Sequence, residues 1–429
     1  MHDERFDLIV AGGGIAGLAA ATGAARAGLR TVVIERATEV GGVARSTERD
    51  GFALNLGPRA LYPPAARLLD ELGVVYPHGQ PPLTGYALAD GRLHAMPEGP
   101  VGLLRGALFD GQSAREASEA LGALASADAG AIAWESLAGW VRGRSIGARA
   151  RQFLYAIIRL AGYIDAPERL SAAAAQEQLA EAAGGVRYVD GGWRTIVAGL
   201  RSAAEGAGAA IRTGARVAGV RRDERGITGV ALADGAALRA PSVVLAMNPE
   251  AARAIVAPAG GRIAATEPVR AAVLDVALAR LPNPEGGFVL ALDRPLYLSV
   301  HSVAARLAPA GGAVVHAARY LRPDEHPDAK EVRTELESLL DLVQPGWRAV
   351  VAFDRLLPDM TVTHALPSAE GGGFAGRPSV AVEGLPGAYV AGDWAGGEHQ
   401  LAGAALASAK RAVKLAIERR AAMFAGAEA

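Results

Sequence analysis

The hydrophobic pattern changes period twice within the first 35 residues. Phe6 to Val10 is a short apolar run with no helical spacing, which predicts a buried strand. It runs directly into Gly12-Gly13-Gly14-Ile15-Ala16-Gly17. An Ala-rich stretch that predicts a helix follows, then a second apolar run from Thr31 to Ile34, closed by Glu35. Strand, glycine turn, helix, strand and acid together make a βαβ unit.

Further along, residues 63 to 75 predict a short helix and a turn. From Val75 to Pro100 the chain shifts to Pro, Gly and strand-like pieces at Tyr86-Ala87-Leu88 and Arg92-Leu93-His94. Residues 101 to 183 return to helical spacing, over Ser113 to Ala125, Ile132 to Arg142, Ala148 to Leu160 and Ser171 to Ala183. Tyr188 to Val197 turns the chain back into a helix from Arg194 to Glu205. Short strands are expected at Ala210 to Thr213, Ala215 to Val220, Gly229 to Leu232 and Ser242 to Ala246, with an Asp234-Gly235 turn among them. Val273 to Leu278, Gly287 to Ala291, Leu296 to Ser302, Ala313 to Ala318 and Ala349 to Leu356 predict a second group of strands. A charged helix interrupts them at Pro323 to Leu342, and the chain ends in a helix from about Leu401 to Arg420.

Composition bounds this picture. At 429 residues and 51% apolar, the chain has ample material for two cores and is too long for one of ordinary size. A formal net charge of −1 gives no electrostatic reason to bind nucleic acid. The first apolar run begins at the sixth residue, which leaves no room for a signal peptide, and no apolar run reaches about 18 residues, so a cytoplasmic location without a spanning helix is expected. There is no cysteine, which excludes disulfides, thiolate metal sites, cysteine nucleophiles and a thioether link to a flavin. The eight histidines show no metal-binding spacing, so no metal is expected.

Each position of the glycine turn has a physical task. Gly12 permits the tight turn, Gly14 admits close approach of a pyrophosphate, and Gly17 lets helix and strand pack closely. Ile15 and Ala16 begin a helix whose unpaired N–H groups and positive dipole end favour phosphate. Glu35 lies 18 residues past Gly17, at the spacing of an acid that accepts from an adenosine ribose. An acid there suits a free 2′-hydroxyl, hence FAD or NAD rather than NADP.

After Glu35 come Arg36, the pair Gly41-Gly42, then Val43-Ala44-Arg45-Ser46, and later Gly51-Phe52-Ala53-Leu54-Asn55-Leu56-Gly57-Pro58-Arg59. Near the C-terminus, Tyr389-Val390-Ala391-Gly392-Asp393-Trp394 precedes Leu401-Ala402-Gly403-Ala404-Ala405. In this order the motifs resemble the FAD-dependent oxidoreductases of the phytoene desaturase, protoporphyrinogen oxidase and amine oxidase superfamily, over nearly the whole length. The resemblance implies an α/β fold: a Rossmann-like FAD-binding domain (1–75, 186–268 and 375–429) with an interleaved mixed α+β substrate domain (76–185 and 269–374). It implies that Gly41 and Gly42 cover the FAD phosphates and ribose, that Gly57 and Pro58 run beside the isoalloxazine, and that the backbone at Val217 holds the adenine. Asp393, after Gly392, then accepts from ribityl hydroxyls or orders water at the phosphates, and the helix start at Leu401 faces the flavin. Two positions depart from the family pattern. Val43 stands where many members have arginine, which passes the phosphate contact to Arg45, and Asn55 replaces a frequent acid.

The resemblance also implies the reaction class: hydride transfer to flavin from a bulky, largely apolar small molecule, as a dehydrogenation or desaturation. Alternatives are an FAD-dependent isomerisation without net redox change, a flavin oxidase of the protoporphyrinogen or amine oxidase type, or a non-enzymatic binder like the GDP-dissociation inhibitors. Amine oxidases of this superfamily commonly hold a water with a lysine, whereas this chain has only Lys330, Lys410 and Lys414, none in a matching place. Arg59 is the candidate for a substrate carboxylate or for FAD, His399 for an acid/base or a cap, and Trp394, Tyr297, His301 and Tyr163 for the cavity wall. One amphipathic stretch, Ala148 to Ile164, sets Arg149, Arg151 and Arg159 beside Phe153, Leu154 and Ile157. It reads either as a face for a membrane or an acidic substrate, or as a core helix with arginine stems lying along apolar surface.

Overall fold

The computed structural model describes residues 4–82, 84–97 and 108–425. The first apolar runs pair as their pattern requires. Leu8–Ala11 lies parallel to Thr31–Ile34 on one side and to Ser242–Leu245 on the other, with every residue of all three strands buried. Ala388–Val390 and Ala210–Arg212 extend this sheet at its two edges, so chain from both ends of the molecule meets in five parallel strands. Alternate residues feed two cores. Leu8, Val10, Val33 and Val244 pack under the helices Ile15–Arg26 and Leu401–Ala425, while Ile9, Val32, Ile34, Val243 and Leu245 pack against the antiparallel strands Val217–Asp223, Gly226–Leu232 and Ala237–Arg239.

A second sheet has seven strands, in the order 351–363, 269–278, 313–321, 296–300, 288–291, 86–89 and 92–95. All neighbours are antiparallel except Phe288–Ala291 with Tyr86–Ala89, the pair that joins the early chain block to the later one. One face is closed by the helix Ala329–Val343, which covers Leu274, Val276, Leu298 and Val315. The opposite face presents Ala271, Val273, Tyr297, Ala318 and Tyr320, and beside them Asp275, His316 and Ser299.

The last strand differs from expectation. The pattern predicts that it stops at Leu356 because Pro358 follows, yet it runs from Val351 to Thr363. It lies at the sheet edge, and its register slips between the partners of Ala271 and Val273, where Pro358 falls. An edge and a register slip are the settings in which a strand tolerates a residue without an N–H.

The block expected to be helical contains Gly111–Ser126, Leu137–Arg142, Ala148–Gly162 and Ala172–Ala183; residues 98–107 lie outside the described residues. In Ala148–Gly162 the arginines do not form a free basic face. Arg159 is 7% exposed, pairs with Asp165 at 2.9 Å and donates to the carbonyls of Ala291 and Arg294. Arg149 pairs with Asp90 and Gln152. The core-helix reading therefore fits Arg159 and Arg149, while Arg151 of the same helix is exposed. Among the described residues, no helix is long and apolar enough to cross a membrane.

Candidate active site

The two sheets enclose one continuous cavity of about 690 Å³, within the usual size of small-molecule sites. Its first wall is the glycine turn. A Cβ on Gly12, whose φ is +112°, would collide with the Ala246 carbonyl oxygen, and one on Gly17 would collide with the Gly12 carbonyl oxygen. At Gly14 a Cβ would meet nothing within 4 Å and would stand in the cavity. The first and third glycines thus serve close packing, and the middle one leaves room for a ligand.

Glu35 is fixed by the loop it follows. Its Oε2 accepts from the Gly13 N–H at 2.6 Å and its Oε1 from the Ala37 N–H at 2.8 Å, and the side chain also lines the cavity. The Gly41-Gly42 turn docks on the first turn: the Gly41 N–H donates to the Gly13 carbonyl at 2.7 Å, and Gly42 lies against Gly14. Arg36, Gly42, Val43 and Arg45 line the cavity, with Arg45 exposed and donating to the Gly42 carbonyl.

Ile15, Ala16, Val217, Pro58, Arg59, Gly392, Asp393, Trp394 and Leu401 share the same wall, so the structure brings most of the sequence-derived positions together. Gly17, Gly41 and Gly57 are not part of the wall. Asn55, where the pattern has an acid, accepts from the Ser46 hydroxyl at 2.7 Å and the Trp193 N–H at 2.9 Å, a structural use that needs no charge.

His399 and Trp394 both spend their polar atoms on protein partners. His399 is outside the cavity wall: its Nδ1 pairs with Glu181 Oε1 at 2.8 Å, while its carbonyl accepts from Arg377 at 2.6 Å. These bonds hold the loop before the last helix against Ala172–Ala183, and the Glu181 hydrogen bond raises the His399 pKa from its ordinary value. Trp394 reaches the wall but is 1% exposed, packs in a core of the five-stranded parallel sheet and spends its Nε1–H on the Met247 carbonyl at 2.9 Å. It is an architectural residue. His301 also misses the cavity, stacking on Tyr188 with ring centroids 3.8 Å apart.

The residue that the sequence pattern passed over is His364. The extended strand Val351–Thr363 delivers it to the cavity wall, where its Nδ1 lies 3.0 Å from Asp393 Oδ1. Among the described residues, Asp393 has no other hydrogen-bond partner, and it faces the cavity, as an acceptor for a ligand hydroxyl requires. Ser408, on the last helix, bonds both the N–H and the carbonyl of Gly392 at 3.0 Å and so clamps the turn that aims Asp393. Leu401, Ala402 and Ala405 bring the first turns of that helix to the cavity, giving a positive dipole end suited to anionic charge.

The wall contributed by the long sheet is of another character. Val273, Ala271, Ala318, Met360 and Val362 give it an apolar surface, and Tyr297, Tyr320 and Tyr163 give it phenols. The Tyr320 ring lies 6.3 Å from that of Tyr163 and 6.4 Å from that of Tyr297. Burial raises the pKa of all three phenols, which keeps them neutral O–H donors. Tyr163 holds a left-handed backbone, φ +62°, at the end of its helix, the sort of strain that clusters at ligand sites. Arg59 is the cation of this region. Its guanidinium lies 5.6 Å from the Trp193 ring, its Nε is buried without a partner, and burial lowers its pKa against the opposing fields of Tyr163, Asp393 and Asp275. Among the described residues of the wall, the acids are Glu35, Glu39 and Asp393, and there is no lysine.

Comparison with known proteins agrees with this architecture. The family model described as flavin containing amine oxidoreductase matches residues 15–275. A coproporphyrinogen III oxidase of Propionibacterium freudenreichii subsp. freudenreichii is 40% identical over 99 residues, 21% of this chain and 18% of that relative. The match thus spans under a fifth of the relative's length. An oxidoreductase structure from Methanosarcina mazei superposes with a TM-score of 0.73 at 18% identity, covering 94% of this chain and 98% of the other. Cyclohexylamine oxidase from Brevibacterium oxydans superposes with a TM-score of 0.71 at 18% identity, covering 97% of this chain and 100% of the other. At such identities the likeness is one of fold.

Proposed function

The chain belongs to the flavin-containing amine oxidoreductases, and from that premise we propose that it is an FAD-dependent oxidoreductase that dehydrogenates a bulky, largely apolar small molecule bearing an anionic group. The observation that carries the reading is Arg59, a cation with a buried, unpaired Nε, set among phenols and apolar side chains in a cavity that also holds the glycine turn and Asp393. When bound, FAD supplies a hydride acceptor. The Gly14 gap and the helix start at Ile15 would hold its phosphates, Glu35 and Asp393 would accept from its hydroxyls, and Leu401 would face its ring.

The protein's own contribution to the reaction is position and dryness. Val273, Ala318, Met360 and Val362 exclude water from the reacting end, which favours hydride transfer over competing proton chemistry. The phenols of Tyr163, Tyr297 and Tyr320 orient polar groups of the substrate as donors. Arg59 would pair with a carboxylate, fixing which carbon lies nearest the flavin. An amine substrate is disfavoured, because its ammonium would meet the Arg59 guanidinium on a wall that, among its described residues, carries no lysine and only Asp393 as a nearby acid.

The test is anaerobic reduction of the purified, yellow protein by three probes: a carboxylated porphyrinogen, a neutral carotenoid and a primary amine. Flavin bleaching by the porphyrinogen, slowed about 100-fold in Arg59→Met, is the expected result. Bleaching by the amine alone overturns the anionic reading. A product of unchanged mass would mark an isomerase, and a colourless protein a binder.

A further inference from the structure

Hydrogen bonding at Asp393 points to a further residue that conditions the cofactor site. We propose that His364 is a positioning residue for FAD: it fixes the Asp393 carboxylate through Nδ1, and when protonated it offsets the negative charge that Asp393 brings next to a diphosphate. This inference rests on the reading that the cavity holds FAD.

Geometry supplies the argument. Asp393 is a surprising neighbour for a dianionic group, since a carboxylate that accepts from ligand hydroxyls also repels ligand phosphates. A compensating cation that touches the carboxylate itself resolves the conflict. His364 lies 3.0 Å from Asp393 Oδ1 and lines the same cavity. With the carboxylate ionised, Nδ1 carries the proton and donates. Among the described residues Nε2 has no hydrogen-bond partner, and it is not sealed in the core, so it stands at the accessible edge of a cavity-lining ring. Neutral His364 presents an acceptor at that edge, and protonated His364 presents a charged donor.

Two acids face the imidazole: Asp393 from the turn after Ala388–Val390, and Glu250 from the helix Pro249–Val256. Arg59 and Arg377 are the cations that share the field of Asp393. Burial lowers the His364 pKa, but the hydrogen bond and charge of Asp393, with Glu250, outweigh it, and the net shift is upward. A raised histidine pKa means that the cation's contribution is complete below the ordinary histidine range and fades as pH climbs through the shifted value. FAD should therefore be held more tightly on the acid side of that titration.

The experiment uses the holoenzyme and follows release of fluorescent FAD on dilution, from about pH 5.5 to about pH 9. In the wild type, the FAD dissociation constant is expected to rise about ten-fold across the range. His364→Asn keeps a donor for Asp393 but cannot titrate; its constant should be flat, near the alkaline wild-type value. His364→Leu loses both functions and should be weaker than His364→Asn at every pH. A wild-type pH profile preserved in His364→Asn overturns the proposal while leaving the FAD reading intact. If the wild type carries no FAD at any pH, the FAD reading itself fails.

Discussion

Gly14→Val yields a folded protein that has lost its flavin. The backbone at Gly14 is extended, with φ −75° and ψ −177°, a conformation valine adopts without strain. No protein atom lies within 4 Å of the added Cβ, so the first added carbon meets no part of the fold. The branched side chain enters the cavity at the point where the βαβ turn and the Gly41-Gly42 turn converge. A phosphate kept from the backbone N–H groups and the dipole of Ile15–Arg26 loses its main anchors. A drop in FAD affinity of at least about 100-fold is expected, or roughly 2.7 kcal/mol. The check is the flavin-to-protein absorbance ratio after gel filtration, with unfolding of the flavin-free protein measured in parallel. Full flavin content in the variant would mean that the phosphates lie elsewhere. Gly12→Val makes a useful contrast. With φ at +112° and the Ala246 carbonyl in the way, it should damage the fold itself, so loss of colour in that variant would say little about the cofactor.

The nucleotide half of the site was legible because its chemistry is local. A tight turn, an open glycine position, close helix–strand packing and a loop-bound acid are set by residue types at fixed short spacings, and Gly12, Gly14, Gly17 and Glu35 supply them within one βαβ unit. Gly392 and Asp393 were legible for the same reason, at a strand end leading to a helix. The substrate half is assembled across long sequence separations. Tyr163, Tyr297 and Tyr320 come from a helix end and two strands, and no spacing connects them. His364 was hidden by Pro358: a proline read as the end of a strand leaves the next residues in a loop, whereas an edge position and a register slip carry the strand on to Thr363.

His399 shows the converse. It is close to Asp393 in sequence, but its imidazole bonds Glu181 and does not line the cavity. Arg159 shows the limit of reading charge as exposure, because its partner Asp165 lies beyond the end of its own helix and the accepting carbonyls are 132 and 135 residues away.

Asp275→Ala is expected to remove about 3–5 kcal/mol of stability, the usual cost of stripping one partner from a buried charge pair. Asp275 and His316 are both 0% exposed and stand directly opposite each other in the long sheet. Asp275 Oδ1 is 2.6 Å from His316 Nδ1, and Oδ2 accepts from Arg355 on the other neighbouring strand. Without the carboxylate, the imidazole keeps neither ring nitrogen bonded, since Nε2 already lacks a partner. Arg355 retains the Asn55 carbonyl and Thr47 and is partly exposed, so it can turn to water; that places the loss toward the lower end of the range. Urea unfolding at neutral pH reads the effect, and a midpoint equal to wild type would show that the pair adds nothing. Asp275→Leu combined with His316→Leu should recover part of the loss, because an apolar pair of similar volume carries no desolvation penalty. Neither variant should restore the site. Asp275 is one of the charges that hold the Arg59 pKa up against burial, and Arg355 ties Asn55 to the sheet just ahead of the Leu56 to Arg59 turn. A double variant regaining stability with Arg59-dependent substrate reduction still impaired would separate the two roles of this rank.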